Sequence, residues 1–193
     1  MPRPVYAALI HYPVVDKHGH LVSTSITNLD IHDISRSART YGLAAYYLVT
    51  PIEAQHWLTR RILEHWETGW GSTYNPNRTD ALSVTRLATD LGALMTHIRE
   101  ETGSSPLLIG TSARRYPSST SFPEVRAVLS SAGPPVCLLF GTGWGLHPEM
   151  ILECDLVLEP ISGLSDFNHL SVRAAAAIIF DRLLAASSKE DSA

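Results

Sequence analysis

Apolar residues in this chain fall into short unbroken runs and helically spaced sets that alternate from one end to the other. Val5 to Ile10, Ala45 to Thr50, Leu107 to Ile109, Val136 to Phe140 and Asp155 to Leu158 have strand length, and unbroken apolar runs suit strands buried on both faces. Ile31, Ile34, Ala38 and Tyr41 lie at helical spacing, with Asp30 as the expected N-cap and Gly42 as the closing residue. Ile52, Trp57, Leu58, Ile62 and Trp66 predict an inward stripe on a helix over 52–66. Gly69 to Arg78 reads as a polar, turn-rich loop, and Leu82, Leu87, Leu91, Leu94 and Ile98 predict a helical region over 81–101, broken if anywhere at Gly92. A helix over 122–131 follows its N-cap Ser121, and Leu21 to Thr27 reads as a short extension of the first strand. This alternation predicts an α/β fold: a mostly parallel sheet with helices on both faces.

The stretch Pro134 to Glu149, PPVCLLFGTGWGLHPE, organises the rest. It reads as a strand, a loop in which Gly141, Gly143 and Gly145 alternate with Thr142 and Trp144, and a helix starting near Pro148. Glycine at such positions lets backbone N–H and C=O groups approach a small molecule without a Cβ between them. A dinucleotide fingerprint needs another glycine where Leu146 stands, and neither lysine, Lys17 nor Lys189, follows a glycine as a Walker loop requires. A tight turn out of a buried strand remains the plain alternative.

The chain has 193 residues, 45% hydrophobic and 18% charged, which fits one globular domain over 1–186 with a disordered tail at 187–193. No apolar run approaches a membrane span, so a cytoplasmic address is expected. Cys137 and Cys154 have no metal-clip or redox spacing, none of the nine histidines forms a zinc motif, and no metal is expected. A net charge of −4 gives no global pull on nucleic acid, yet all but two of the 15 basic residues are arginines that suit phosphate. Arg39, Arg114, Arg115 and Arg78 are candidates for RNA contacts, with plain solvation as the rival reading. The C-terminal helix, Leu170 to Ala186, capped by Asn168, is apolar around nearly its whole circumference. That predicts packing on its own sheet and on a second subunit, hence a homodimer.

Three stretches together resemble the SPOUT superfamily of S-adenosylmethionine-dependent RNA methyltransferases. DIHDISRSARTYG is similar to that family's Asn-x-Gly-x-Ile-x-Arg motif, LLFGTGWGLHPEM to its strand, glycine loop and helix, and EPISGLSDFNHLSVRAAAAIIF to its small-residue loop and alanine-rich helix. The whole chain is similar to a small subgroup of stand-alone bacterial members of it. The resemblance implies a C-terminal trefoil knot, a topology otherwise discouraged. It implies S-adenosyl-L-methionine held by three loops: Thr111, Ser112 and Ala113; Gly141, Thr142, Gly143, Gly145 and Leu146; and Glu159, Pro160 and Ile161 with His169, Leu170 and Ser171. Arg36 matches the motif arginine, which orients RNA or stabilises charge, often across a dimer. Asp30 and His32 stand where the family has asparagine and glycine, and Thr142-Gly143-Trp144 lacks the common acidic residue. These departures make Asp30 and His32 candidates for base and orienter. The expected activity is methyl transfer to a base nitrogen or ribose 2'-hydroxyl of tRNA or rRNA. The alternative is a non-catalytic donor-binding or RNA-associated scaffold.

Overall fold

The computed structural model describes residues 3–165 and 167–186. The chain runs through β1 (Val5–Ile10), a hairpin of β2 (Val14–Val15) and β3 (Leu21–Val22), α1 (Asn28–Thr40), β4 (Ala45–Val49), α2 (Glu53–Glu67), α3 (Trp70–Tyr74), α4 (Pro76–Leu82) and β5 (Thr85–Ala88). It continues through α5 (Leu91–Thr102), β6 (Leu107–Gly110), β7 (Ser119–Thr120), α6 (Phe122–Ser130), β8 (Val136–Gly141), α7 (Pro148–Glu153), β9 (Leu156–Leu158) and α8 (Val172–Leu184). Seven strands form one sheet in the order β5-β4-β1-β8-β6-β9-β7, and every pairing in it is parallel.

All six residues of β1 are buried, so each face of the strand must be covered. Val5, Ala7 and Leu9 pack with Ile31 and Ile34 of α1, Val125 of α6, and Ile179 and Phe180 of α8. Tyr6, Ala8 and Ile10 pack with Leu94 and Ile98 of α5 and with Met150 and Ile151 of α7. The period of two along the strand thus sorts the helices into two layers. The expected mostly parallel sheet with helices on both faces is what forms.

Local expectations are revised in five places. Thr27, not Asp30, is the N-cap of α1; Asp30 is the third helical residue of a capping box, its carboxylate accepting from Thr27 N (3.2 Å) and Thr27 Oγ1 (2.6 Å). Gly42 does take the left-handed conformation expected of it, at φ 71°. The stretch 69–78 is not an open loop but α3 and the start of α4, which Asn75 caps and Pro76 opens. The helical region predicted over 81–101 contains β5, because pairing with β4 outweighs the leucine spacing, and Asp90 caps α5 afterwards. Leu21 to Thr27 supplies β3, which pairs with β2 rather than extending β1. Ser171, not Asn168, caps α8.

α2 departs furthest from its pattern. His56, Thr59 and Leu63 are its buried residues, while Ile52, Trp57 and Leu58 are 38%, 62% and 50% exposed. The helix turns this way because the Thr50 carbonyl at the end of β4 is buried and takes a hydrogen bond from His56 Nε2 (2.7 Å). α8 is flanked by α1 and α6 of its own chain as well as by the sheet, so much of its apolar circumference is covered internally. The tail expected at 187–193 lies outside the described residues. Among those described, no helix is long and apolar enough to cross a membrane.

Candidate functional site

Strand order reverses at the middle of the sheet: β1 passes to β4 on one side, while β8 and β6 lie on the other. Crevices form at such a switch point, beyond the carboxyl ends of the strands. Here Ile10 is in register with Gly141, so the chain beyond β1 and the glycine loop beyond β8 leave the sheet side by side.

The loop folds tightly on itself. A Cβ on Gly141 would lie 2.4 Å from Leu146 N and 2.6 Å from Gly145 C, backbone atoms that cannot step aside, so this glycine serves the turn. Gly145, at φ 112°, has nothing within 4 Å of where a Cβ would point, so its side of the loop is open. Several backbone groups are already in use. Thr142 N donates to Ile10 O (3.3 Å), Trp144 N to Val15 O (3.0 Å) and Gly145 N to Thr142 O (3.0 Å), while Gly145 O accepts from Val15 N (3.1 Å). Among the described residues the N–H groups of Gly143 and Leu146 have no partner. Gly141 thus makes the turn, and Gly145 leaves its side of the loop open.

Beneath the loop runs a hydrogen-bond chain whose direction follows from proton counting. Thr142 Oγ1 gives its one proton to Ile10 O (3.0 Å), so Thr24 Oγ1 must donate to Thr142 Oγ1. Thr24 in turn accepts from His11 Nδ1 (3.0 Å). His11 is therefore the Nδ1–H tautomer, fully buried, and burial pushes its pKa down to about 4 although Asp30 pulls the other way. Its Nε2 carries a bare lone pair with no partner among the described residues. His11 and Thr24 were not singled out in the sequence. A lone histidine and a lone threonine carry no spacing signal.

The other two predicted loops leave adjacent strands, β6 and β9, and are tied to each other. Asn168 Nδ2 donates to Ala113 O (2.7 Å), and Arg115 meets Glu159 at 3.3 Å. Thr111 is buried, with both N and Oγ1 donating to Leu139 O (3.0 and 2.9 Å), and Ser112 Oγ accepts from Arg114 N (3.0 Å). Glu159 also accepts from Phe122 N at the start of α6 (3.0 Å), so its carboxylate is structurally engaged. Pro160 is buried and Ile161 packs on the core, whereas His169 and Leu170 are exposed and Ser171 caps α8.

On α1 the three motif residues part company. Asp30 is buried in its capping box, and Arg173 of α8 lies 3.7 Å from it and 3.4 Å from Asp33. An arginine in the first turn of a helix opposes the helix dipole, so these carboxylates are what hold it there. His32 is half-buried, its Nδ1 without a partner among the described residues, and edge-on to Trp66 at 5.7 Å. Burial first, and then the Arg78 and Arg36 cations against an opposing pull from Asp33, hold its pKa down. Arg36 is exposed and has no ion-pair partner among the described residues. Of the candidate RNA contacts, Arg39 is held by Asp80 through two hydrogen bonds (3.0 and 2.8 Å) and Arg115 by Glu159, while Arg114 is exposed.

The pattern of a family described as SAM-dependent RNA methyltransferase matches residues 4–185. A protein of Nitratidesulfovibrio vulgaris named tRNA (guanine-N(1)-)-methyltransferase is 49% identical over 182 residues, 94% of this chain and 42% of that protein. This chain therefore spans less than half the length of that relative. An uncharacterized protein of Aquifex aeolicus is 42% identical over 93% of this chain and 87% of its own length. Among solved structures, an Aquifex aeolicus TrmH/SpoU tRNA modifying enzyme aligns with a TM-score of 0.53 at 14% identity, over 94% of this chain and 73% of that one. An AdoMet-bound rRNA methyltransferase of Sinorhizobium meliloti aligns at 0.53 and 16%, over 95% and 56%. At such identities these structures speak for the fold alone.

Proposed function

This chain belongs to the family of S-adenosylmethionine-dependent RNA methyltransferases, and from that premise we propose that it methylates tRNA as a homodimer. The methyl donor lies on the loops beyond β6, β8 and β9, and the acceptor nucleotide comes to α1. The observation that carries the donor assignment is the glycine loop at the β1–β8 switch point, with its open Gly145 and the unpartnered N–H groups of Gly143 and Leu146. When bound, S-adenosylmethionine supplies an electrophilic methyl group on a sulfonium sulfur. Thr111 to Ala113 follow β6, next to β8 in the sheet, and Glu159 to Ile161 with His169 to Ser171 follow β9 beyond it, where Asn168 bonds the Ala113 carbonyl.

Arg36 orients phosphate or stabilises the acceptor's developing negative charge, which an uncompensated exposed guanidinium can do. His32, held neutral by burial and by the cations beside it, is the candidate acceptor of the proton. Asp30 acts through position: its carboxylate starts α1 and meets Arg173, so it sets where His32 and Arg36 stand. The tRNA acceptor rests on the named activity of the longer relative. The dimer rests on the outward stripe of α8 and its C-cap, where small or apolar Ala174, Ile178 and Ala185 are only half-buried. The trefoil knot belongs to the same proposal and rests on the resemblance of the motifs.

The experiment is calorimetric titration with S-adenosylmethionine, followed by methyl-labelling of total tRNA from a strain lacking the gene. One donor site per chain and a labelled nucleoside, identified by digestion and mass spectrometry, are expected. A folded protein that binds no donor would overturn the reading.

A further inference from the structure

A cavity of about 330 Å³ opens between α1, the C-terminal part of α2 and α4. Ile62 and Trp66 supply its apolar surface, and His32, His65, Arg61 and Arg78 supply its polar groups, with Asn28 completing the lining. The Arg78 guanidinium lies 4.5 Å from the centre of the Trp66 ring, and the rings of His32 and His65 stand edge-on to that indole at 5.7 and 5.1 Å. No carboxylate lines it among the described residues. Arg61 meets Glu64 at 3.0 Å in an exposed pair that holds it only weakly, while Arg78 has no carboxylate within ion-pair distance among the described residues.

This combination is unusual on a chain of net charge −4. A cation–π contact with Trp66 holds Arg78 in place but leaves its charge unmatched by any acid in the cavity. An aromatic wall beside an arginine with no paired acid suits a nucleotide: the base lies on the apolar surface and the phosphate meets the guanidinium fork. His32 Nδ1, buried and unpartnered, adds a hydrogen-bonding group at the boundary between the two. Arg36 follows His32 by one turn of α1, so a strand entering here runs toward the motif arginine.

We propose that this cavity is a binding subsite for one unpaired nucleotide of the RNA, its base against Trp66 and Ile62 and its phosphate on Arg78. The proposal rests on the RNA methyltransferase reading and adds a place where the strand is gripped beside the proposed acceptor site, with which it shares His32. It also shifts recognition away from Arg39 and Arg115, whose charges are already matched by Asp80 and Glu159.

The test compares wild type, Arg78→Ala and Trp66→Leu for binding of unfractionated tRNA and of a short oligouridine by fluorescence anisotropy over a salt series. S-adenosylmethionine affinity is measured alongside. Arg78→Ala is expected to weaken both RNA probes about tenfold and to reduce the salt slope by about one phosphate contact. Trp66→Leu keeps the position apolar but removes the aromatic face, and is expected to weaken binding about 5- to 100-fold with the slope unchanged, as loss of base stacking requires. Donor affinity stays constant in both. Variants that melt like wild type and bind RNA within twofold of it would overturn the proposal while leaving the methyltransferase reading intact. Wild type that binds neither donor nor tRNA would sink both. Should Trp66→Leu fail to fold, Arg78→Ala decides alone.

Discussion

The glycine loop beyond β8 and the face formed by α1, α2 and α4 place binding groups by opposite means. In the loop, the candidate ligand contacts are backbone atoms fixed by glycine conformation and by hydrogen bonds to β2, over a run of six residues. On the helical face they are side chains brought from positions as far apart as His32, Trp66 and Arg78, held by rotamers and ring contacts. A backbone site tolerates little change at its turn but is indifferent to most side chains nearby. A side-chain site loses one contact at a time. The difference predicts all-or-none losses on the donor side and graded losses on the acceptor side.

The largest expected effect is at Gly141. Gly141→Ala puts a Cβ within bonding-clash distance of Leu146 N, so the loop must rearrange, and donor affinity should fall by about a thousandfold. Calorimetry with a melting curve checks this, and donor binding within threefold of wild type would abolish the contrast. Next, Arg36→Ala should lower kcat by about 100-fold while donor affinity stays within twofold, as the proposed action of the guanidinium on the acceptor alone requires. Equal losses in donor binding would show that the two regions are not separable.

His11 sharpens the comparison through pH. Its folded pKa of about 4 lies below the ordinary value of 6.5, so the unfolded chain binds the extra proton first. Its contribution is fully present above pH 6.5 and declines as pH falls toward 4, about 3 kcal/mol in all. Urea denaturation at pH 7 and at pH 4.5 should show wild type losing more stability than His11→Asn, in which the Nδ2 group can still donate to Thr24. An equal loss would remove His11 from the account. The smallest effect is at Arg39, whose charge Asp80 already matches. Arg39→Ala should change tRNA affinity by less than about twofold, measured beside Arg78→Ala.

Much of the fold was legible because its signals are local. Unbroken apolar runs located β1, β4, β6, β8 and β9, and Ser121 and Gly42 marked helix ends by capping chemistry that acts within a turn. β5 was missed because Leu87, Leu91 and Leu94 keep helical spacing across it, and only pairing with β4 chooses the strand. The exposed stripe of α2 was missed because a buried carbonyl at Thr50 needed a donor, a demand invisible from the helix's own pattern. In the candidate site, the loop glycines could be read directly and Arg36 only through the family resemblance. His11, Thr24 and Arg173 could not, since each matters only through partners distant in sequence.

Resemblance across three motifs pointed to the family and to Arg36; the sequence by itself determined the alternation of strands and helices and the position of the glycine loop. These depend on neighbours a few residues away, where spacing and backbone freedom are read directly. Tertiary structure alone decided which glycine closes the turn and which leaves space, which tautomer His11 adopts, and which arginines are neutralised. It also assembled Trp66, His32 and Arg78 into one cavity. Such outcomes turn on packing and proton counting between residues far apart in the chain, and no local pattern encodes them.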